Sequence, residues 1–217
     1  RRLLMSYQRL LKKLNSVVNS GLGNPTRKTN LKTAHAKLGA SALRCMCELL
    51  RALPHFNFRS NLLETIVKRA AQPNPHITTL CTQMFAELFR RDQDGELSFE
   101  TARKIAQVLK ARDFEVPEEL VMCLHHIKLN VHEDKAHQIR RAAKQQRKRK
   151  GKDEVDEALK EAEATTDTLE RDRMQADTLH ELTIIYLRVL KSPIGFKLMP
   201  AVLEGLSRIA HLINIDT

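Results

Sequence analysis

Leu38-Gly39-Ala40-Ser41-Ala42-Leu43-Arg44-Cys45-Met46-Cys47-Glu48-Leu49-Leu50-Arg51-Ala52-Leu53-Pro54 decides the fold class of this 217-residue chain. Ala34, Leu38, Ala42, Cys45, Met46, Leu49, Leu50 and Leu53 recur at helical spacing, and Pro54 blocks continuation. Upstream, Leu3, Leu4, Tyr7, Leu10, Leu11, Leu14 and Val18 form a second stripe, with Gly21 as its expected stop. Downstream, helices are expected from Ser60 or Asn61, from Asn74-Pro75 as N-cap and first turn, from Ser98 as a cap over Phe99, and from Pro117 through Ile127. No stretch alternates with period two, so the expected class is all-α.

Helix starts near residues 31 and 75, and near 61 and 98, approximate the ~40 to 47 residue period of HEAT or armadillo helix pairs. That predicts a HEAT/armadillo-like solenoid with a long charged helical arm. Three regions are expected: a helical-repeat body over 1–135, a basic-then-acidic linker or arm over 136–173, and a C-terminal helical region over 174–217. The last contains a stripe from Leu179 to Leu190 and a helix from Pro200 to Ile213. These helices need a partner, either the preceding stack or a continuation of the chain.

The net charge of +11 is unevenly placed. Residues 1–135 carry +9 and residues 136–152 carry +8, whereas 153–173 carry −6 and 174–217 are neutral. The basic block contains Arg140, Arg141, Lys144, Arg147, Lys148, Arg149, Lys150 and Lys152. It reads as a polyanion contact or import signal, or as a solvated spacer offset by its acidic neighbour. Beyond it, Val155, Leu159, Ala162, Thr166, Leu169, Arg173 and Ala176 form a weak heptad seam. Mean hydropathy of −0.39 and the absence of a long apolar run argue against a membrane role.

Site chemistry is sparse. Asp92-Gln93-Asp94-Gly95-Glu96 fails the calcium-loop pattern, because Arg90 and Thr101 would fill the first and last ligand positions; an acidic turn is expected. Cys45 and Cys47 diverge around a helix, and Cys123 with His125 and His126 lacks a second ligand pair. Helical cysteines without loop spacing point to a reducing compartment. No phosphate loop, nucleophile elbow or metalloprotease motif occurs, so no catalytic, cofactor or metal residue is assigned and no enzyme is expected. Arg1 in place of Met suggests a piece of a longer protein.

The turn Pro54-His55-Phe56-Asn57-Phe58-Arg59, followed by Asn61-Leu62-Leu63, reads physically as a corner. Phe56 and Phe58 would pin it while Asn57 and Asn61 satisfy helix ends. Its string resembles the nucleolar complex-associated protein 3 family, within the CCAAT-binding-factor-like group of ribosome assembly factors. A C-terminal signature supports the resemblance through Tyr186, Pro200, Glu204, Gly205, His211 and Asn214. The family pattern continues with aromatics after Asp216, where Thr217 stands here.

The resemblance implies a non-enzymatic helical scaffold of the nucleolus and nucleus. It implies a nucleolar complex protein 2-type partner and large-subunit precursors containing rRNA and other assembly factors. It also carries an alternative role on chromatin in replication licensing. A generic nuclear helical-repeat adaptor is the remaining reading.

Overall fold

The computed structural model describes residues 2–23, 33–129 and 156–213. Among them there is no strand. Helices α1 (Arg2–Leu22), α2 (Ala34–Ala52), α3 (Arg59–Ala70), α4 (Pro75–Arg91), α5 (Glu96–Ala111) and short α6 (Glu118–Met122) precede α7 (Asp156–Lys191) and α8 (Met199–Ile209). Short 3-10 turns follow α6 and flank α8 at Cys123–His126, Gly195–Leu198 and Ala210–Leu212. The chain pairs α1 with α2, α3 with α4, α5 with α7, and α7 with α8.

Local chemistry explains most boundaries. Thr33 caps α2 by accepting from the Ala36 N–H at 3.2 Å. Asn74 caps α4 as its sequence predicts, accepting from the N–H groups of His76 and Ile77, with Pro75 in the first turn. Leu53 and Pro54 end α2.

Several expectations are corrected. Gly21 does not stop α1: Gly23 does, with φ +63° and its N–H on the Asn19 carbonyl at 3.0 Å. Gly21 instead marks a close crossing, where a Cβ would lie 2.7 Å from the Cα of Gly39. Ser98 is not a cap; α5 begins at Glu96 behind Gly95, and Ser98 is buried with both its N–H and hydroxyl donating to Asp92 Oδ2. Phe99 is only half-buried, and Leu97 and Thr101 occupy the buried face. The helix from Pro117 breaks at Met122 into the 3-10 turn and leaves Ile127 extended, while Ile213 likewise falls outside α8.

Ala42, Met46 and Leu50 of the expected α2 stripe are buried, but the buried face is displaced from the rest of it. Cys45 and Leu38 are exposed, and Ala36, Gly39, Leu43, Cys47 and Leu50 face inward. The displacement follows from α2 packing on α1, α3 and α4 together. One core runs from Val18 and Leu43 through Ile66, Phe85 and Ile105 to Leu182, Val189 and Val202. The last two helices therefore pack on the preceding stack.

Candidate interaction surfaces

The corner between α2 and α3 begins with a backbone exception. Phe58 adopts φ +68°, a left-handed conformation that costs a non-glycine residue about 1–3 kcal/mol. Its carbonyl accepts from Asn61 and Leu62, and its ring leans on Tyr7, 6.4 Å between centroids. Phe56 meets the same Tyr7 edge-to-face at 4.9 Å. The phenylalanines thus anchor the corner to α1.

Asn57 and Asn61 do not cap α3, which has no side-chain cap at all. The left-handed turn draws the chain into α3 three residues earlier than a cap at Asn61 would allow. Pro54 is half-buried, while His55 and Asn57 point to solvent.

Arg59 opens α3, an unfavourable place for a cation beside a helix dipole. Two carboxylates compensate. Its guanidinium donates to both oxygens of Glu96, at 2.9 and 3.1 Å, and through Nε to Glu100 at 2.8 Å. Hydrogen bonding from Arg59 holds the Glu96 carboxyl below its usual range, and Glu96 in turn raises the Arg59 guanidinium. The fork clamps the start of α3 to the start of α5.

The C-terminal signature builds a second junction. Tyr186 of α7 is buried, and a Cβ at Gly205 of α8 would lie 2.5 Å from its ring Cζ and 2.9 Å from His125 Nε2. Only glycine lets α8 approach both rings. His125 Nε2 hydrogen-bonds the Ala201 carbonyl at 2.9 Å, and its Nδ1 lies 3.7 Å from Glu204. Burial lowers the His125 pKa despite those two partners, so the imidazole is held neutral. Glu204 is held as a carboxylate mainly by Arg208, at 2.8 Å. Pro200 and His211 are exposed, and Asn214 lies outside the described residues.

No family model matches the chain. It is 30% identical over 232 residues to the nucleolar complex protein 3 homologs of Mus musculus and Homo sapiens, an alignment covering 99% of this chain. It is 27% identical over 210 residues to nucleolar complex-associated protein 3 of Saccharomyces cerevisiae, covering 87% of this chain. Along nearly its whole length the chain resembles nucleolar complex protein 3 proteins of animals and yeast.

The chain spans about 29% of the length of the mouse and human relatives. These relatives are named for the nucleolus, which supports a nucleolar and nuclear location for this chain. The basic block from Arg140 and Arg141 through Lys144, Arg147, Lys148, Arg149 and Lys150 to Lys152 lies outside the described residues.

Within the described residues, three features escaped sequence reading. His125 joins α8 across 76 positions, and no local spacing announces such a contact. Arg69 is buried, donating to the Gly23 carbonyl and the Asn19 side chain, while Arg112 donates to the Ala71 carbonyl. These cations serve the C-terminal ends of α1 and α3, where helix carbonyls lack partners. Burial first, then Arg112, lowers the Arg69 pKa. Finally, Cys47, Cys81 and Cys123 are buried, and contact with Cys47 together with burial pushes the Cys81 thiol well up. Burial likewise raises the Cys123 thiol, so Cys81 and Cys123 stay protonated and unreactive. Among the described residues, no group of His, Cys, Asp and Glu side chains could hold a metal ion, and no helix is long and apolar enough to cross a membrane.

Proposed function

We propose that this segment is a non-enzymatic scaffold in large ribosomal subunit biogenesis, acting with a nucleolar complex protein 2-type partner on precursor particles. The observation that carries the reading is similarity to nucleolar complex protein 3 relatives along 99% of the chain. The successive pairs α1/α2 and α3/α4 support a HEAT/armadillo-like stack as its architecture. In this reading the helical body contacts protein, and its basic faces lie against rRNA together with the 140–152 block. The +9 of residues 1–135 makes the body at least as strong a polyanion surface as the block, whose +8 is offset by the neighbouring −6.

Purification of the tagged full-length protein with sequencing of its nucleic acid tests the reading. Enrichment of large-subunit pre-rRNA with the partner protein is expected. Enriched replication-origin DNA would replace the proposal with replication licensing on chromatin, and capture of a transport receptor without nucleic acid would make it a nuclear adaptor. Replacing Arg147, Lys148, Arg149 and Lys150 with Gln is expected to weaken particle association or nuclear accumulation. If both are unchanged, the block has no part in the mechanism.

A further inference from the structure

A polar groove between α1 and α3 shares Phe58 and Asn61 with the corner and lies apart from the C-terminal junction. Gln8, Lys12, Asn15 and Asn19 line its α1 side at successive steps of four, three and four, one face of a helix. Asn61 and Thr65 line the α3 side. Two depressions of about 210 and 450 Å³ share Asn15, Asn61 and Thr65 in their walls. Leu11, Met46 and Leu62 also line the smaller one, with Phe58 beside them.

The polar groups retain hydrogen-bonding capacity. Thr65 donates to the Asn61 carbonyl at 3.1 Å and approaches Asn15 Oδ1 at 3.4 Å. Arg69 donates to Asn19 Oδ1 at 2.6 Å, which fixes that amide and directs its NH₂ group as the donor. Carboxamides offering both donors and acceptors, with an apolar floor beside Gln8, Asn15 and Asn61, suit planar groups with mixed hydrogen-bonding edges.

The charge around the groove is one-sided. Helix α1 contains Arg2, Arg9, Lys12 and Lys13 and no Asp or Glu. The carboxylate lining the groove, Glu64, is tied to Lys68 at 2.6 Å and lies 3.9 Å from Lys104. Lys68 above all keeps its pKa below the usual range. Base edges meeting amides and phosphates meeting cations is the pairing used by helical readers of unpaired RNA. A duplex hides those base edges.

We propose that the α1–α3 groove binds single-stranded RNA, with Asn15, Asn19 and Asn61 contacting base edges and Lys12 contacting a phosphate. This deepens the rRNA contact of the proposed function and rests on it for the identity of the RNA. An acidic peptide is the competing occupant.

The test measures binding of the full-length protein to a fluorescent single-stranded RNA of about 12 nucleotides, its duplex, and a poly-glutamate peptide. The single strand is expected to bind in preference to both. Asn15→Ala with Asn61→Ala is expected to weaken binding roughly tenfold, the scale of one well-formed base contact, with an unchanged melting temperature. Replacing Lys12 with Gln is expected to weaken binding and flatten the logarithmic salt slope by about 0.7. Arg44→Gln, an exposed cation on α2, is the control and is expected to leave affinity within twofold.

RNA affinity unchanged in both groove variants, or poly-glutamate displacing RNA from the wild type at equal or lower concentration, would overturn the proposal. Groove-dependent RNA binding without pre-rRNA in the purified particle would uphold the groove and refute the ribosomal reading. Pre-rRNA association that survives both groove variants would do the reverse.

Discussion

At Gly205 there is no room for a methyl group. A Cβ there would lie within 2.6 Å of the Tyr186 hydroxyl oxygen as well as against the ring, and both partners are buried or semi-buried in packed helices. Gly205→Ala is therefore expected to destabilise the fold by about 1–3 kcal/mol, the usual cost of overpacking, as read by urea denaturation. Thr101 predicts the opposite sign. Its buried Oγ1 has no hydrogen-bond partner among the described residues, so Thr101→Val removes an uncompensated polar atom with little change of shape. A gain of about 1 kcal/mol in the same measurement is expected. A loss would mean that the hydroxyl has a partner.

His125 sets a third residue-scale expectation, on pH. Its folded pKa lies below the ordinary 6.5, burial being the main cause, so the unfolded chain binds the proton more readily. Stability tied to this residue is complete above about pH 6.5 and is lost as pH falls from there through the folded pKa. His126 shifts in the same direction through burial and the charges of Arg90 and Arg208. Melting temperature is expected to fall on acidification from pH 7 to 5.5, and His125→Gln is expected to flatten that slope. An undiminished slope in the variant would assign the effect to other groups.

At the scale of elements, the crossing of α1 and α2 rests on paired glycines. A Cβ at Gly21 would collide with the His35 carbonyl, a backbone atom that no rotamer change can move. Gly21→Ala is expected to loosen α1 from α2, reported by faster hydrogen exchange in both helices while α5 keeps its protection. Equal loss everywhere would instead show that the crossing is coupled to the whole core. The crossing also marks where sequence reading fails. Helix existence and the Asn74-Pro75 start were legible, because they depend on apolar period and capping chemistry within a few residues. Gly21 looked like a terminator because its contact partner lies on another helix. Ser98 looked like a cap for the related reason that Asp92, six residues earlier, claims its hydroxyl and N–H. The corner string was legible as a corner; that Arg59 would bridge to Glu96 and Glu100 was not, since that pairing is a product of tertiary approach.

On the scale of the whole molecule, the decisive contact is α7 along α5, which brings the C-terminal helices onto the body. Nothing in the local periodicity of either helix names the other. The result is a continuous core, so stability should be shared between chain segments that are distant in sequence. Leu179 of α7 is 2% exposed and belongs to that core. Leu179→Ala is expected to cost about 2–5 kcal/mol through lost burial and a residual cavity. If the core is one cooperative unit, the slowest-exchanging amides of α2 and α4 lose protection by the same free energy as those of α7, because all open through global unfolding. Undiminished protection in α2 and α4 would divide the molecule into a body and a separately melting C-terminal unit. The same hydrogen-exchange experiment thus decides whether the signature built on Tyr186 and Gly205 is a local lock or part of the stability of the entire helical stack.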